Sequence, residues 1–150
     1  MTIIAWDGKT LAADKSSWAG GARSNVKKIF RVEITQGDVK RGVALAAVAG
    51  YTAYALAVLR YLEGNIPAMP QPYKDMENED IILLIYPCGA IHRVTTQGIS
   101  YPILEKFAAF GAYQLATRCL LYLGVPAKRA LEVVLHNSDM GISSIDTLEF

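Results

Sequence analysis

The sequence predicts an α+β fold in which antiparallel sheet is layered with helices. Three observations lead there. Strand-like segments stand at both ends of the chain, two helical segments follow one another late in it, and strands and helices do not alternate as a doubly wound sheet requires. The 150 residues hold no internal repeat and no low-complexity tract, and they read as one domain, 1–150, long enough to enclose a hydrophobic core.

Residues 2–6 and 10–14 read as strands joined at Asp7-Gly8, a pair suited to a type I′ turn because both central residues need positive φ. Ala19-Gly20-Gly21 breaks the pattern. Residues 26–34 then alternate as another strand, with Val26, Lys28, Phe30 and Val32 on one face. After a turn at Gln36-Gly37-Asp38, the apolar run 42–49 suits a central strand buried on both faces. TAYALAVLRYLEG places Ala55, Leu56, Leu59 and Leu62 at helical spacing and closes at Gly64. Residues 66–78, where prolines cluster, read as loop. Residues 81–86 and 90–95 flank Pro87-Cys88-Gly89 as a second hairpin, and 107–110 is a short strand. AYQLATRCLLYLG is a helix with Leu115, Cys119 and Leu123 in one stripe. Pro126 takes the first position of a third helix through Ala130, Val134 and His136, and 145–150 closes the chain as a strand.

Composition narrows the function. A net charge of +1 gives no field that favours nucleic acid or an anionic membrane, and the short cluster Lys27, Lys28, Arg31 reads as a solvated strand edge. No apolar run reaches the roughly 18 residues of a membrane span. Asp7 and Lys9 lie where a signal or transit peptide would carry its basic and apolar regions, so neither is expected. Cys88 and Cys119 match no metal spacing and read as free thiols of a reducing compartment, the cytoplasm. His92 and His136 read as structural; no phosphate loop, dinucleotide fingerprint or Ser-His-Asp or Cys-His triad is present, and no metal or cofactor is expected. With 52% hydrophobic and 19% charged residues, some apolar surface is expected to be covered by partner subunits.

Chemistry then rests on Thr2, on Asp14 at the end of the second strand, and on SNVKKIF with Lys27 and Lys28. A threonine hydroxyl needs a base to become nucleophilic. Removal of Met1 would give Thr2 a free α-amine, with an ordinary pKa of about 7.7–8.0, as that base. A nearby lysine would hold the amine neutral by like-charge repulsion, and a carboxylate would fix the lysine; Lys28 and Asp14 supply the two. Taken singly, a Met-Thr start, an aspartate at a strand end and a lysine pair on a strand are also ordinary structural features.

TIIAWDGKTLAAD resembles the opening hairpin of the proteasome β-subunit and HslV-type family of N-terminal nucleophile (Ntn) threonine hydrolases, especially its short bacterial and phage-type members. NVKKIF resembles the strand bearing that family's lysine, VAGYTAYALAVL its oxyanion segment, IILLIYPCGAIHRV its central hairpin and SSIDTLEF its closing strand. The resemblance implies a four-layer αββα sandwich with antiparallel sheets between helices. It implies Thr2 as nucleophile, Asp14 as acidic partner, Lys28 rather than Lys27 as the lysine, Gly50 as oxyanion donor and Asp139 as a supporting carboxylate. It also implies a homo-oligomeric ring acting on peptide or unfolded-protein substrate, with an ATPase partner left unspecified. Four positions depart from the pattern. Gly111 runs into Ala112-Tyr113 where the family has Gly-Ser-Gly, and Gly141 replaces a hydroxyl residue after Asp139, leaving Ser138 or Ser143 to compensate. Trp18 stands for a groove threonine and Tyr51 for a second glycine. The expectation is a threonine peptidase working through an acyl-enzyme on Thr2. The alternatives are a catalytically silent ring or scaffold subunit and a small-molecule amidase on the same fold.

Overall fold

A computed structural model describes residues 1–139, 141 and 143–150, with the side chain of Ala19 also outside the described set. In chain order the elements are β1 (Ile3–Trp6), β2 (Leu11–Asp14), β3 (Ser16–Ala19), β4 (Ala22–Asn25), β5 (Ile29–Ile34), β6 (Gly42–Val48), α1 (Thr52–Leu62), β7 (Asp80–Ile85), β8 (Ile91–Thr95), β9 (Ser100–Ile103), β10 (Ala108–Gly111), α2 (Gln114–Tyr122), α3 (Ala127–His136) and β11 (Ile145–Leu148). They fall into two compact units, residues 1–30 with 105–150 and residues 31–104. Among the described residues no helix is long and apolar enough to cross a membrane.

The first unit is built on an antiparallel sheet of order β10-β1-β2-β11. Every residue of β1 and β2 is buried, as befits the two inner strands. Ala5 lies opposite Ala12 on one neighbour and Ala109 on the other. Ile3, Ala5 and Ala12 form one core with Leu121 of α2 and Ala127, Ala130, Leu131, Val134 and Leu135 of α3. Alanines on both sides of this contact let α3 approach the sheet closely, while Leu131 and Leu135 fill the space between them.

Two corners differ from the sequence expectation. The Asp7-Gly8 connection is not a two-residue type I′ turn: β1 ends at Trp6 and β2 starts at Leu11, and of the two central residues only Gly8 has positive φ. The Asp7 carboxylate spans the wider corner instead, accepting from Lys9 N at 2.9 Å and Thr10 N at 2.8 Å through Oδ1. Its Oδ2 accepts from Ala127 N at 2.8 Å and so caps α3, where Pro126 precedes the first helical residue rather than occupying it. The tight turn lies at Gly20-Gly21, between paired Ala19 and Ala22, with φ of 57° and 77° as a type I′ turn requires. The glycine break is thus the tip of a β3–β4 hairpin. The strand expected over 26–34 begins only at Ile29, because residues 26–28 return beside Lys15, whose carbonyl accepts from Val26 N at 2.7 Å.

The stripe Leu115, Cys119, Leu123 has the expected helical period but the opposite phase. Leu115 and Leu123 are 74% and 80% exposed, Cys119 is exposed, and the buried residues of α2 are Thr117 and Leu121. Thr117 tolerates burial because its hydroxyl donates to Tyr113 O at 3.0 Å, one turn back.

The second unit carries the sheet of order β5-β6-β7-β8-β9, with α1 packed on β6 and β7. Residues 44–48 of β6 and 81–85 of β7 are all buried, and α1 turns Tyr54, Ala55, Val58, Leu59 and Leu62 inward. No helix or strand interrupts residues 66–78. Strand β9 has no strand-like reading in the sequence because Pro102 stands in it; as an edge strand it loses no ladder donor that the sheet needs.

Leu131→Ala is expected to lower stability by about 2–5 kcal/mol through loss of buried side chain at the α3–sheet contact, and Asp7→Ala by about 1–2 kcal/mol through loss of the cap. Urea unfolding of each variant measures both.

Candidate active site

The end of β2 delivers Asp14, fully buried, to the start of β1. Asp14 Oδ1 accepts from Ile3 N at 2.8 Å, and Oδ2 accepts from Ser16 N at 3.1 Å and from Lys28 Nζ at 2.9 Å. Lys28 is 2% exposed. Its ammonium also donates to Ser16 O at 2.6 Å and to Met1 O at 3.3 Å, so its three donors meet three oxygens. The Met1 carbonyl belongs to the peptide bond that would have to be cleaved to free the Thr2 amine. On the other side of Thr2, its own carbonyl accepts from Ala112 N at 2.7 Å. Thr2, itself buried, is therefore held through both flanking peptides: Lys28 on the Met1 carbonyl, Ala112 on the Thr2 carbonyl and Asp14 on the Ile3 amide.

The two lysines separate cleanly. Lys28 turns inward, whereas Lys27 is exposed, stands over the Phe30 ring at 5.3 Å and lines a groove of about 480 Å³ with Lys15, Asn25 and Asp146. Burial pushes the Lys28 ammonium below its ordinary pKa, against the hydrogen bond and charge of Asp14, which raise it.

Gly50 and Asp139 lie outside the hydrogen-bond partners of Lys28. Gly50 belongs to the second unit, between β6 and α1, at φ 71°; a Cβ there would meet Glu79 Oε1 at 2.6 Å, so the position requires glycine. Asp139 follows α3 and accepts a hydrogen bond from the Tyr113 hydroxyl. Ser138 Oγ donates to Leu135 O at 3.1 Å, and Ser143 Oγ accepts from Lys15 N at 3.1 Å and donates to Ser144 O at 3.0 Å. Met140 and Ile142, within the segment compared with the family's late motif, lie outside the described residues. Trp18 is 59% exposed on β3, and Tyr51 caps α1 while its hydroxyl accepts from Glu77 N at 3.4 Å.

Sequence reasoning missed Ser16, Ala112 and Tyr113. Ser16 and Ala112 act through main-chain atoms, which residue type does not advertise. Ser16 is two residues beyond Asp14, the spacing at which an aspartate accepts from backbone, and this was the one available signal. The buried Ser16 Oγ has no hydrogen-bond partner among the described residues. Among those residues no three His, Cys, Asp or Glu side chains are grouped to hold a metal ion.

The chain matches no protein-family model, and no curated protein is significantly similar to it.

Removing one member of the buried pair, as in Asp14→Ala or Lys28→Met, is expected to cost about 3–5 kcal/mol, whereas the double variant costs much less than the sum. The folded state binds the Lys28 proton less tightly than the unfolded chain. Wild type therefore gains stability relative to Lys28→Met as pH rises through the lowered pKa toward 10.5, measured as the difference between their urea midpoints.

Proposed function

We propose that the chain is a proteasome-like threonine hydrolase that cleaves peptide amides once Met1 is removed. The observation that carries this reading is the Lys28 ammonium, paired with buried Asp14 and donating to the carbonyl that precedes Thr2. Removal of Met1 takes away one of the three acceptors of Lys28 and leaves a free amine on Thr2. The neighbouring ammonium disfavours a second positive charge, so the Thr2 amine stays neutral and accepts the hydroxyl proton. Thr2 Oγ1 adds to the substrate carbonyl carbon, and the C–N bond breaks as the amine passes its proton to the leaving nitrogen. Water then hydrolyses the ester by the reverse proton path, restoring the Thr2 hydroxyl and releasing a carboxylic acid. In this reading, as the resemblance implies, Gly50 is the oxyanion donor and Asp139 a supporting carboxylate.

The proposal includes a four-layer αββα sandwich, a homo-oligomeric ring, and a peptide or unfolded-protein substrate delivered in the cytoplasm. The helix-on-sheet construction of each unit supports the sandwich. The outward Leu115, Cys119, Leu123 stripe, with Tyr122 59% exposed beside it, supports burial by further subunits. One observation favours a catalytically silent subunit: with Met1 in place all three Lys28 donors are already satisfied.

Intact mass separates the two readings. Quantitative retention of Met1 in protein from its native cell rules out peptide hydrolysis by this mechanism. Loss of Met1 is expected to be accompanied by one covalent adduct from a hydroxyl-directed β-lactone on wild type and none on Thr2→Ala, with Lys28→Met labelled at least about 100-fold more slowly. Equal labelling of wild type and Thr2→Ala removes Thr2 from the chemistry, and a peptide panel divides peptidase from amidase. Light scattering tests the assembly: Leu115→Lys with Leu123→Lys is expected to yield a smaller species than wild type, and a wild type that is already monomeric overturns the ring.

A further inference from the structure

Ala112, whose N–H holds the Thr2 carbonyl at 2.7 Å, sits between two residues of left-handed backbone, Gly111 at φ 87° and Tyr113 at φ 54°. Glycine takes this conformation freely, but a tyrosine in it is strained. Among the described residues the only other non-glycine with positive φ is Asp75, in the loop 66–78 and of a type that tolerates it. Something must hold Tyr113 in place, and two contacts do. Its carbonyl accepts from both Thr117 N and Thr117 Oγ1 at 3.0 Å, which fixes the start of α2 on a fully buried residue. Its hydroxyl donates to Asp139 Oδ1, which fixes the other end of the side chain to the segment after α3. α2 and α3 are packed on each other and on β1, the strand that begins next to Thr2.

We propose that Tyr113 is a positioning residue for Thr2: its bond to Asp139 locks the strained Gly111–Tyr113 turn, and the turn presents the Ala112 amide that holds the Thr2 carbonyl. The proposal rests on the nucleophile reading for its catalytic consequence and gives Asp139 an indirect part in it. The bond to Asp139 raises the Tyr113 phenol above its ordinary pKa, as expected for a donor held to a carboxylate. Both side chains are exposed, so the bond adds little to global stability, and its loss leaves a folded protein with a looser turn. Displacement of a nucleophile by a fraction of an ångström slows attack far more than it weakens binding.

Tyr113→Phe removes only the hydroxyl. With the urea midpoint unchanged, amide exchange at Ala112 is expected to accelerate about 10-fold while that of the α3 core amides stays as in wild type. In Met1-free protein the maximal rate of β-lactone labelling is expected to fall about 10-fold with the half-saturating concentration within about 2-fold of wild type. In the exchange measurement at Ala112, Asp139→Asn, which keeps a carbonyl acceptor, is expected to stay close to wild type, and Asp139→Leu to match Tyr113→Phe. Unchanged exchange at Ala112 in Tyr113→Phe overturns the proposal, as does faster exchange with undiminished labelling. If wild type takes no label, the nucleophile reading fails, and the exchange measurement alone decides whether Tyr113 locks the turn.

Discussion

The buried Asp14–Lys28 pair is the constraint around which the first unit is arranged. An ammonium and a carboxylate taken from water are tolerated only when every lone pair and proton finds a partner. Here those partners come from the main chain at Met1, Ile3 and Ser16. The demand runs both ways. Residues 1–3 are tied at two successive peptide groups, the first by Lys28 on the Met1 carbonyl and the second by Ala112 on the Thr2 carbonyl and Asp14 on the Ile3 amide. The path that brings Lys28 in follows from the same region: the β3–β4 hairpin turns back at Gly20-Gly21, and Val26 closes on Lys15, one residue beyond Asp14. The order of the N-terminus is thus a consequence of charge compensation as much as of strand pairing.

Much of this was legible in the sequence wherever one physical signal dominated. The long apolar run became β6, the 3.6-residue period gave α1 and α3 within a residue or two, and the Pro-Cys-Gly turn marked the β7–β8 hairpin. Expectations failed where two signals competed. In α2 the larger apolar side chains carry the period, but the buried face is set by Thr117, which satisfies its own hydroxyl, and by Leu121. At Asp7 the side chain cannot serve a tight turn and cap α3 at once, and the cap decides the geometry. At Pro102 the missing donor argues against a strand, but an edge position removes the objection.

The candidate site divides along a similar line. Asp14 and Lys28 were legible through what a Thr2 nucleophile would need beside it and through the resemblance of their segments, and burial sets Lys28 apart from Lys27. Ser16, Ala112 and Tyr113 were not, since two contribute backbone atoms and the third depends on a backbone angle. The structure joins Asp14 and Lys28 in one hydrogen-bonded set that holds the Met1 carbonyl and the Ile3 amide on either side of Thr2, and Asp139 meets Tyr113.

The contact between Lys28 and residue 1 is made to a carbonyl oxygen, and the Met1 side chain is 63% exposed. Nothing in that contact recognises methionine. Any residue placed before Thr2, including the last residue of an affinity tag or a fusion partner, presents the same oxygen to the same ammonium. Under the proposed reading the site is therefore blocked by chain continuity rather than by a particular inhibitor sequence. Its timing passes to whichever exopeptidase trims the nascent chain, and an amino-terminal fusion behaves as a permanently closed form while a carboxy-terminal one does not.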